Sequence, residues 1–366
     1  MTLKEKIGQL FMFGFEGTRP STGMVHLIKA ACIGGVILFD RNLKNPLQIA
    51  RLTNDLQFLS PRMPLLIAVD QEGGRVSRLP KDFTLFPSAA TIGAGHSTEL
   101  AYRAADCTAK ELRAVGINMN LAPVLDVRTH PANRVIGDRA FGSNPAVVGT
   151  MGLAVIAGLQ DNRIVACGKH FPGHGDTEVD SHEELPRVSH PISRLFEVEL
   201  RPFRHAIANG LAALMTAHVL YPALDEKWPA TLSPRIITGL LRQELGFRGV
   251  VMTDDLLMKA ITLPPGEAAV QALLAGADLL LICHDEAVQR AALDAVQIAV
   301  KENRLTEKRI EQSALRILAL KERFLLPYEP ADIEMAKATV GQPAHQHVLN
   351  EIMERTAALN SAKTPG

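Results

Sequence analysis

Residues 163–186 read RIVACGKHFPGHGDTEVDSHEELP, and the opening third of that stretch decides how the fold is read. An apolar run from Ile164 ends on Lys169 and His170, and a Pro-Gly pair then stops any regular element. A continuous apolar run of that length suits a parallel strand covered on both faces. The stretch also holds seven charged side chains and three histidines. Three readings are open for that crowding: a metal site, an acid/base site, or a polar turn without chemistry.

Moving outward, runs of the same kind begin at Leu10, Ile33, Pro64, Ile117, Leu211, Gly249 and Ala277. Helical patterns lie between them at 46–59, 98–115, 145–159, 193–208 and 233–245, then at 286–301 and 310–324. Several of these open on Ser, Thr or Pro, as helix starts should. About eight βα repeats predict a (β/α)8 barrel, an α/β fold, over residues 1–325. An open doubly wound sheet is the runner-up, but no G-x-G-x-x-G follows the first strand. Residues 326–366 form an extension, Pro-rich at first and with one helical segment at 345–359, too short for a second domain.

Bulk composition narrows the function classes. The chain has 366 residues, 47% hydrophobic and 21% charged, so a large core can form. Lys plus Arg and Asp plus Glu both number 39, which gives no field favouring nucleic acid or an anionic membrane surface. Cys32, Cys107, Cys167 and Cys283 are far apart, with no C-x-x-C, and read as small buried hydrophobes in a reducing compartment. The N-terminal segment is a poor signal peptide and nothing approaches a membrane span. The expectation is a cytoplasmic protein without membrane or nucleic-acid partners.

Barrel enzymes carry their chemistry at the C-terminal ends of strands. Asp70 ends LLIAVD, Lys169 and His170 end IVACGKH, and His218 ends LMTAH; Asp254 and Asp255 end VVMTDD, and His284 and Asp285 end LLLICHD. Polar groups at the same end of five runs point to a site. Bland alternatives stay open at each position. One of Asp254 and Asp255 can cap the following helix. His284 and Asp285 read as loop and cap residues, and Lys169 can be an interior ion-pair partner. His96, His130, His205, His345 and His347 read as surface or core residues.

A metal is the weaker explanation of residues 163–186. His170 and His174 have ligand spacing and His182 offers a third nitrogen. However, HFPGH cannot be helical, and the cation of Lys169 disfavours a divalent ion. Neither metal nor cofactor is therefore expected. Acid/base chemistry fits better, because Asp180 stands two residues before His182, close enough in a bent loop to fix the imidazole tautomer and raise its basicity.

KHFPGHGDTEVDSH resembles the signature of glycoside hydrolase family 3, in its β-N-acetylglucosaminidase branch, the peptidoglycan-recycling β-N-acetylhexosaminidases. VDQEGGRVSRL, NLAPVLDV, VIGDRAFG, MTAHVLYPALD, PATLSP and GVVMTDDLLM fit in the same order. The resemblance implies a (β/α)8 barrel with Asp254 as the nucleophile of a glycosyl-enzyme and His182 as the general acid/base, assisted by Asp180. It implies that Asp70, Arg78, Arg139, Lys169 and His170 contact an N-acetylglucosamine ring. A retaining glycosidase ordinarily uses two carboxylates, and here a His–Asp dyad takes the second role.

Two departures matter. Many family members carry a second α/β domain, for which this chain has no room, although residues 338–359 look like the lead-in to one. Asp176 and Thr177 fall where the family varies and say little about the leaving group. The reading that results is an exo-acting monomer releasing N-acetylglucosamine from muropeptide fragments. A phosphorylase, a β-glucosidase and a non-catalytic sugar-binding module are the alternatives.

Overall fold

A computed structural model describes residues 1–60, 62–181 and 183–361. Eight parallel strands close into a barrel in chain order. They are β1 (Phe11–Phe13), β2 (Gly35–Leu38), β3 (Leu66–Val69), β4 (Met119–Asn120), β5 (Val165–Phe171), β6 (Ala213–Thr216), β7 (Val250–Asp255) and β8 (Leu279–Ile282). β1 closes the ring on β8, with Met12 opposite Leu281. Each strand grows out of one of the eight apolar runs, and every residue of β1, β2, β3 and β8 is buried. Both faces are covered, as parallel strands inside a helical ring require.

Several helices follow the expected bounds closely, including Pro46–Phe58, Thr98–Ala114, Arg235–Glu244 and Glu286–Lys301. Asn45, Ser97 and Asp285 cap three of these by accepting first-turn N–H groups. The single helix expected over 193–208 is two, Ile192–Glu197 and Arg201–Ala208. Pro202 has no N–H to give back to the preceding turn, so the helix restarts there. β4 is only two residues long because Pro123 follows and cannot donate to a ladder. The chain nevertheless runs on beside β5, with an isolated bridge from Val124 to Lys169.

The extension after residue 325 holds two helices, Ile333–Thr339 and Pro343–Ser361, where the sequence reading drew one. The extra helix is only seven residues long and is started by Asp332, whose carboxylate accepts from the N–H groups of Glu334 and Met335. Both helices pack on the barrel. Ala336 joins the main core, while Val348 and Ile352 meet Phe86, Ile92 and Leu100. Buried Glu111 ties the second helix down, accepting from His345 Nδ1 at 2.7 Å, Gly341 N–H at 3.0 Å and Thr84 Oγ1 at 2.7 Å.

The face of the barrel at the strands' N-terminal ends is clasped by one carboxylate. Asp278, fully buried just before β8, meets Arg242 through Oδ2 and Arg316 through Oδ1 at 3.0 Å. Ser313 donates to Oδ1 at 2.7 Å, and Arg309 lies 3.7 Å away. Burial pulls the Arg242 guanidinium down to about 10 against the attraction of Asp278. Removing a buried partner leaves the others uncompensated. Asp278→Ala should therefore lower the unfolding free energy by about 3–5 kcal/mol in urea titration. A loss under about 1 kcal/mol, the range of an exposed pair, would mean that the clasp carries no stability.

Candidate active site

At the opposite end of the barrel the strands deliver charge. Lys169, near the end of β5, is 2% exposed, and its ammonium lies 2.7 Å from Asp70 Oδ1 and 2.7 Å from Glu72 Oε1. Asp70 follows β3 directly, and Glu72 lies two residues further along. Glu72 in turn takes both arms of the Arg139 guanidinium, at 2.8 and 2.8 Å. Arg139 stands on the short turn Gly137–Arg139, and one of its nitrogens lies 3.3 Å from His170 Nε2. His170 Nδ1 meets Asp126 Oδ2 at 2.7 Å. Four chain segments are thus joined in one polar chain: Asp70, Lys169, Glu72, Arg139, His170, Asp126.

The tautomer of His170 follows from its neighbours. A carboxylate only accepts, so Nδ1 carries the proton toward Asp126; a guanidinium only donates, so Nε2 offers its lone pair to Arg139. Asp126, with no exposed surface, also accepts the N–H of His170 at 3.1 Å and of His174 at 2.7 Å. Burial raises its carboxyl, but the histidines around it outweigh that and hold it below the ordinary carboxylate value. For Glu72 burial is likewise outweighed by Lys169 and Arg139, which hold it well below that range. Lys169 is raised: Asp70 and Glu72 overcome the desolvation that alone would lower it.

Asp254 lies on β7, close enough to Lys169 and His170 for their charges to act on it. Its Oδ1 accepts the N–H of Asp255 at 2.8 Å. Burial raises its carboxyl, and His218, His170, that N–H and Lys169 together bring it below the ordinary value. Asp254 is therefore an anion at neutral pH. Asp255 behaves differently: burial raises it, and its Oδ1 accepts from Leu257 N–H at 3.1 Å and Cys283 N–H at 3.3 Å. It braces β7 against β8.

Of the residues singled out from sequence, Asp70, Arg139, Lys169 and His170 are joined directly, and the electrostatic influence of Lys169 and His170 reaches Asp254. Arg78 is outside the ionic chain. Its backbone N–H donates to Gln71 Oε1 at 3.0 Å, while its buried Nε has no partner among the described residues. Asp180 sits on the loop after β5, its carbonyl accepting the N–H of Glu183 at 2.9 Å. Next to it, Ser181 is tied to His174 Nε2 at 3.0 Å and, through its carbonyl, to Ala260 N–H at 3.2 Å, beyond β7. His182 lies outside the described residues. No group of three or more His, Cys, Asp or Glu suited to a metal occurs among the described residues.

Three members of the site escaped the sequence reading. Asp126 ends the fourth apolar run, so the strand-end rule applied to that run would have found it. His218 met the rule but was not carried into the site. Glu72 is a loop residue, and only the folded chain shows it between two cations.

Residues 2–320 match the family model described as the glycosyl hydrolase family 3 N terminal domain. Over its whole length the chain is 36% identical to beta-hexosaminidase A of Pseudoalteromonas piscicida, of which it covers 68%. Its fold superposes with a TM-score of 0.92 on a glycoside hydrolase family 3 beta-N-acetylglucosaminidase from Paenibacillus sp. str. FPU-7, at 46% identity, covering 97% of this chain and 69% of that one. NagZ from Neisseria gonorrhoeae, solved with N-trifluoroacetyl-D-glucosamine, superposes at 0.79 with 31% identity, covering 95% of this chain and 98% of that one.

The site also has a titration signature. His174 is 2% exposed, and burial together with the neighbouring His170 lowers it from 6.5 to about 4. A histidine lowered in the fold takes up its proton more readily when unfolded, so the fold loses stability as pH falls below 6.5, down to about 4. The cost across that window is about 3 kcal/mol. His174→Gln should flatten the pH dependence of the unfolding free energy, from urea titration, by that amount. An unchanged slope would show that His174 protonates freely in the fold.

Proposed function

The chain belongs to glycosyl hydrolase family 3, and we propose that within it the protein is an exo-acting, retaining β-N-acetylglucosaminidase that frees terminal N-acetylglucosamine from muropeptide fragments. The observation that carries this reading is Asp254, an anion at the open end of the barrel facing a rigid array of donors and acceptors. In the first step its carboxylate attacks the anomeric carbon as the bond to the leaving oxygen breaks. His182 donates a proton to that oxygen. In the second step His182 takes a proton from water, which attacks the same carbon and returns Asp254 as a carboxylate.

The pairing of four carboxylates at this end of the barrel is consistent with His182 as the acid. Asp70 and Glu72 are ion-paired to Lys169, Asp126 is held by His170, and Asp255 is bound to two backbone N–H groups. None of them stands ready to protonate a leaving group. Asp180 polarises His182 in this scheme. Asp70, Arg78, Arg139, Lys169 and His170 line the ring pocket, and the orphan Nε of Arg78 suits a ligand oxygen. Neither metal nor cofactor takes part. Residues 1–325 form the catalytic unit, and the protein works as a cytoplasmic monomer in peptidoglycan recycling. No helix among the described residues is long and apolar enough to cross a membrane.

The test is turnover of a chromogenic N-acetyl-β-glucosaminide and of a natural disaccharide. Asp254→Asn should lose on the order of 10⁴-fold on both. His182→Ala should lose about 10²–10⁴-fold on the disaccharide and less on the aryl glycoside, whose leaving group needs no proton. Azide should then speed aryl turnover. Equal losses on both substrates without azide rescue would remove His182 from the acid/base role. Chelation should leave the rate unchanged, and a rate that requires phosphate would replace hydrolysis by phosphorolysis.

A further inference from the structure

β7 is not a regular strand. Against β6 its register is even, Ala213 opposite Val250 through Thr216 opposite Thr253. Against β8 it slips: Met252 faces Leu279 but Asp255 faces Leu281, three steps on β7 against two on β8. The extra residue is a bulge, and Asp254 sits in it. Bulges re-aim a side chain at the cost of ladder bonds, which here are replaced. Thr253 Oγ1 accepts the N–H of Leu281 at 3.0 Å, and the Leu256 N–H reaches Leu281 O at 3.0 Å. From the other side, His218 Nε2 lies 2.9 Å from the carbonyl of Asp255. A carbonyl only accepts, so this nitrogen carries a proton.

Resting on the reading of Asp254 as nucleophile, we propose that His218 is its positioning residue, holding the bulge through the Asp255 carbonyl and standing as a switchable charge beside it. The second half of that role comes from a pair of buried hydroxyls. His218 Nδ1 is 2.7 Å from Thr231 Oγ1, which is also 2.9 Å from Thr216 Oγ1 and 3.0 Å from Ala217 O. With neutral His218, Thr231 donates to Nδ1 and receives from Thr216. With cationic His218, Nδ1 donates to Thr231, Thr231 turns its proton to Ala217 O, and Thr216 turns to Met252 O at 3.4 Å. Both states are satisfied by rotating hydroxyls alone.

The groups facing His218 are Asp254 and Asp255 from β7 and His170 from β5; Asp254 is also faced by Lys169 from β5. Burial lowers His218, while Asp254 pulls it back up. Near neutrality the ring is an uncharged lock. As pH falls, its proton favours the Asp254 anion and delays loss of the nucleophile.

Two variants separate the lock from mere packing. Gln at 218 places its amide N–H₂ where Nε2 stood and keeps the bond to Asp255 O; Asn is too short and reaches only toward Thr231. His218→Gln should keep kcat within about threefold of wild type, while His218→Asn should lose about a hundredfold with KM little changed, as expected for a displaced nucleophile. In His218→Gln the acid limb of kcat/KM should move to higher pH, because the neighbouring charge is gone. Equal kcat in the two variants, or an acid limb that stays in place, would overturn the proposal. Rates are taken per folded molecule, from thermal unfolding of each variant, and the Gln acid limb decides alone if the Asn variant does not fold. Wild-type protein inactive on an N-acetyl-β-glucosaminide would instead sink the nucleophile reading on which the lock rests.

Discussion

Lys169 puts an ammonium where almost no water reaches, and the C-terminal end of the barrel is arranged around that fact. An unpaired buried charge costs many kcal/mol, so Lys169 requires both Asp70 and Glu72. Glu72 then stands between two cations, and Arg139 reaches His170, which Asp126 fixes from behind. Four chain segments, 70–72, 126, 139 and 169–170, are held in register by those contacts. Donors held this way are fixed in advance, which is what electrostatic preorganisation requires. The weakness of the arrangement follows from the same cause: neutralising any one member strands its partners.

The two ends of the barrel use buried charge differently. At the strands' N-terminal ends, Asp278 gathers three arginines onto a single carboxylate and also accepts the N–H of Val251 at 3.0 Å, so all of its capacity goes into the fold. At the C-terminal ends, Asp254 accepts one backbone N–H. Its anion is supported electrostatically by His218, His170 and Lys169. The contrast is between a carboxylate saturated by the fold below and one above with a single bond among the described residues.

Much of this was legible in the sequence, for a physical reason. Strands buried on both faces must be apolar throughout, so all eight runs stood out, and polar residues closing them had to lie on one rim. Asp70, Lys169, His170 and Asp254 were placed at strand ends that way, and the structure puts them at that end of the barrel. What stayed hidden depends on tertiary pairing. Nothing local to Glu72 shows that two cations converge on it, and nothing local to His218 shows the slipped register of β7. The first helix of the extension, Ile333–Thr339, was invisible for another reason. Residues 333–339 give too few turns for a periodic signal, and the helix is held by packing and by its Asp332 cap.

Covalent attack by Asp254 is the central step, and trapping that bond tests it most directly. A fluorinated N-acetylglucosaminyl fluoride forms a glycosyl-enzyme that hydrolyses slowly, so incubation, proteolysis and mass spectrometry can locate the sugar. The account predicts one N-acetylhexosamine-sized adduct, carried by the peptide containing residues 250–258 and assigned to Asp254. An enzyme that turns over the fluoride with no adduct, or an adduct on Asp70 or Asp255, would contradict it.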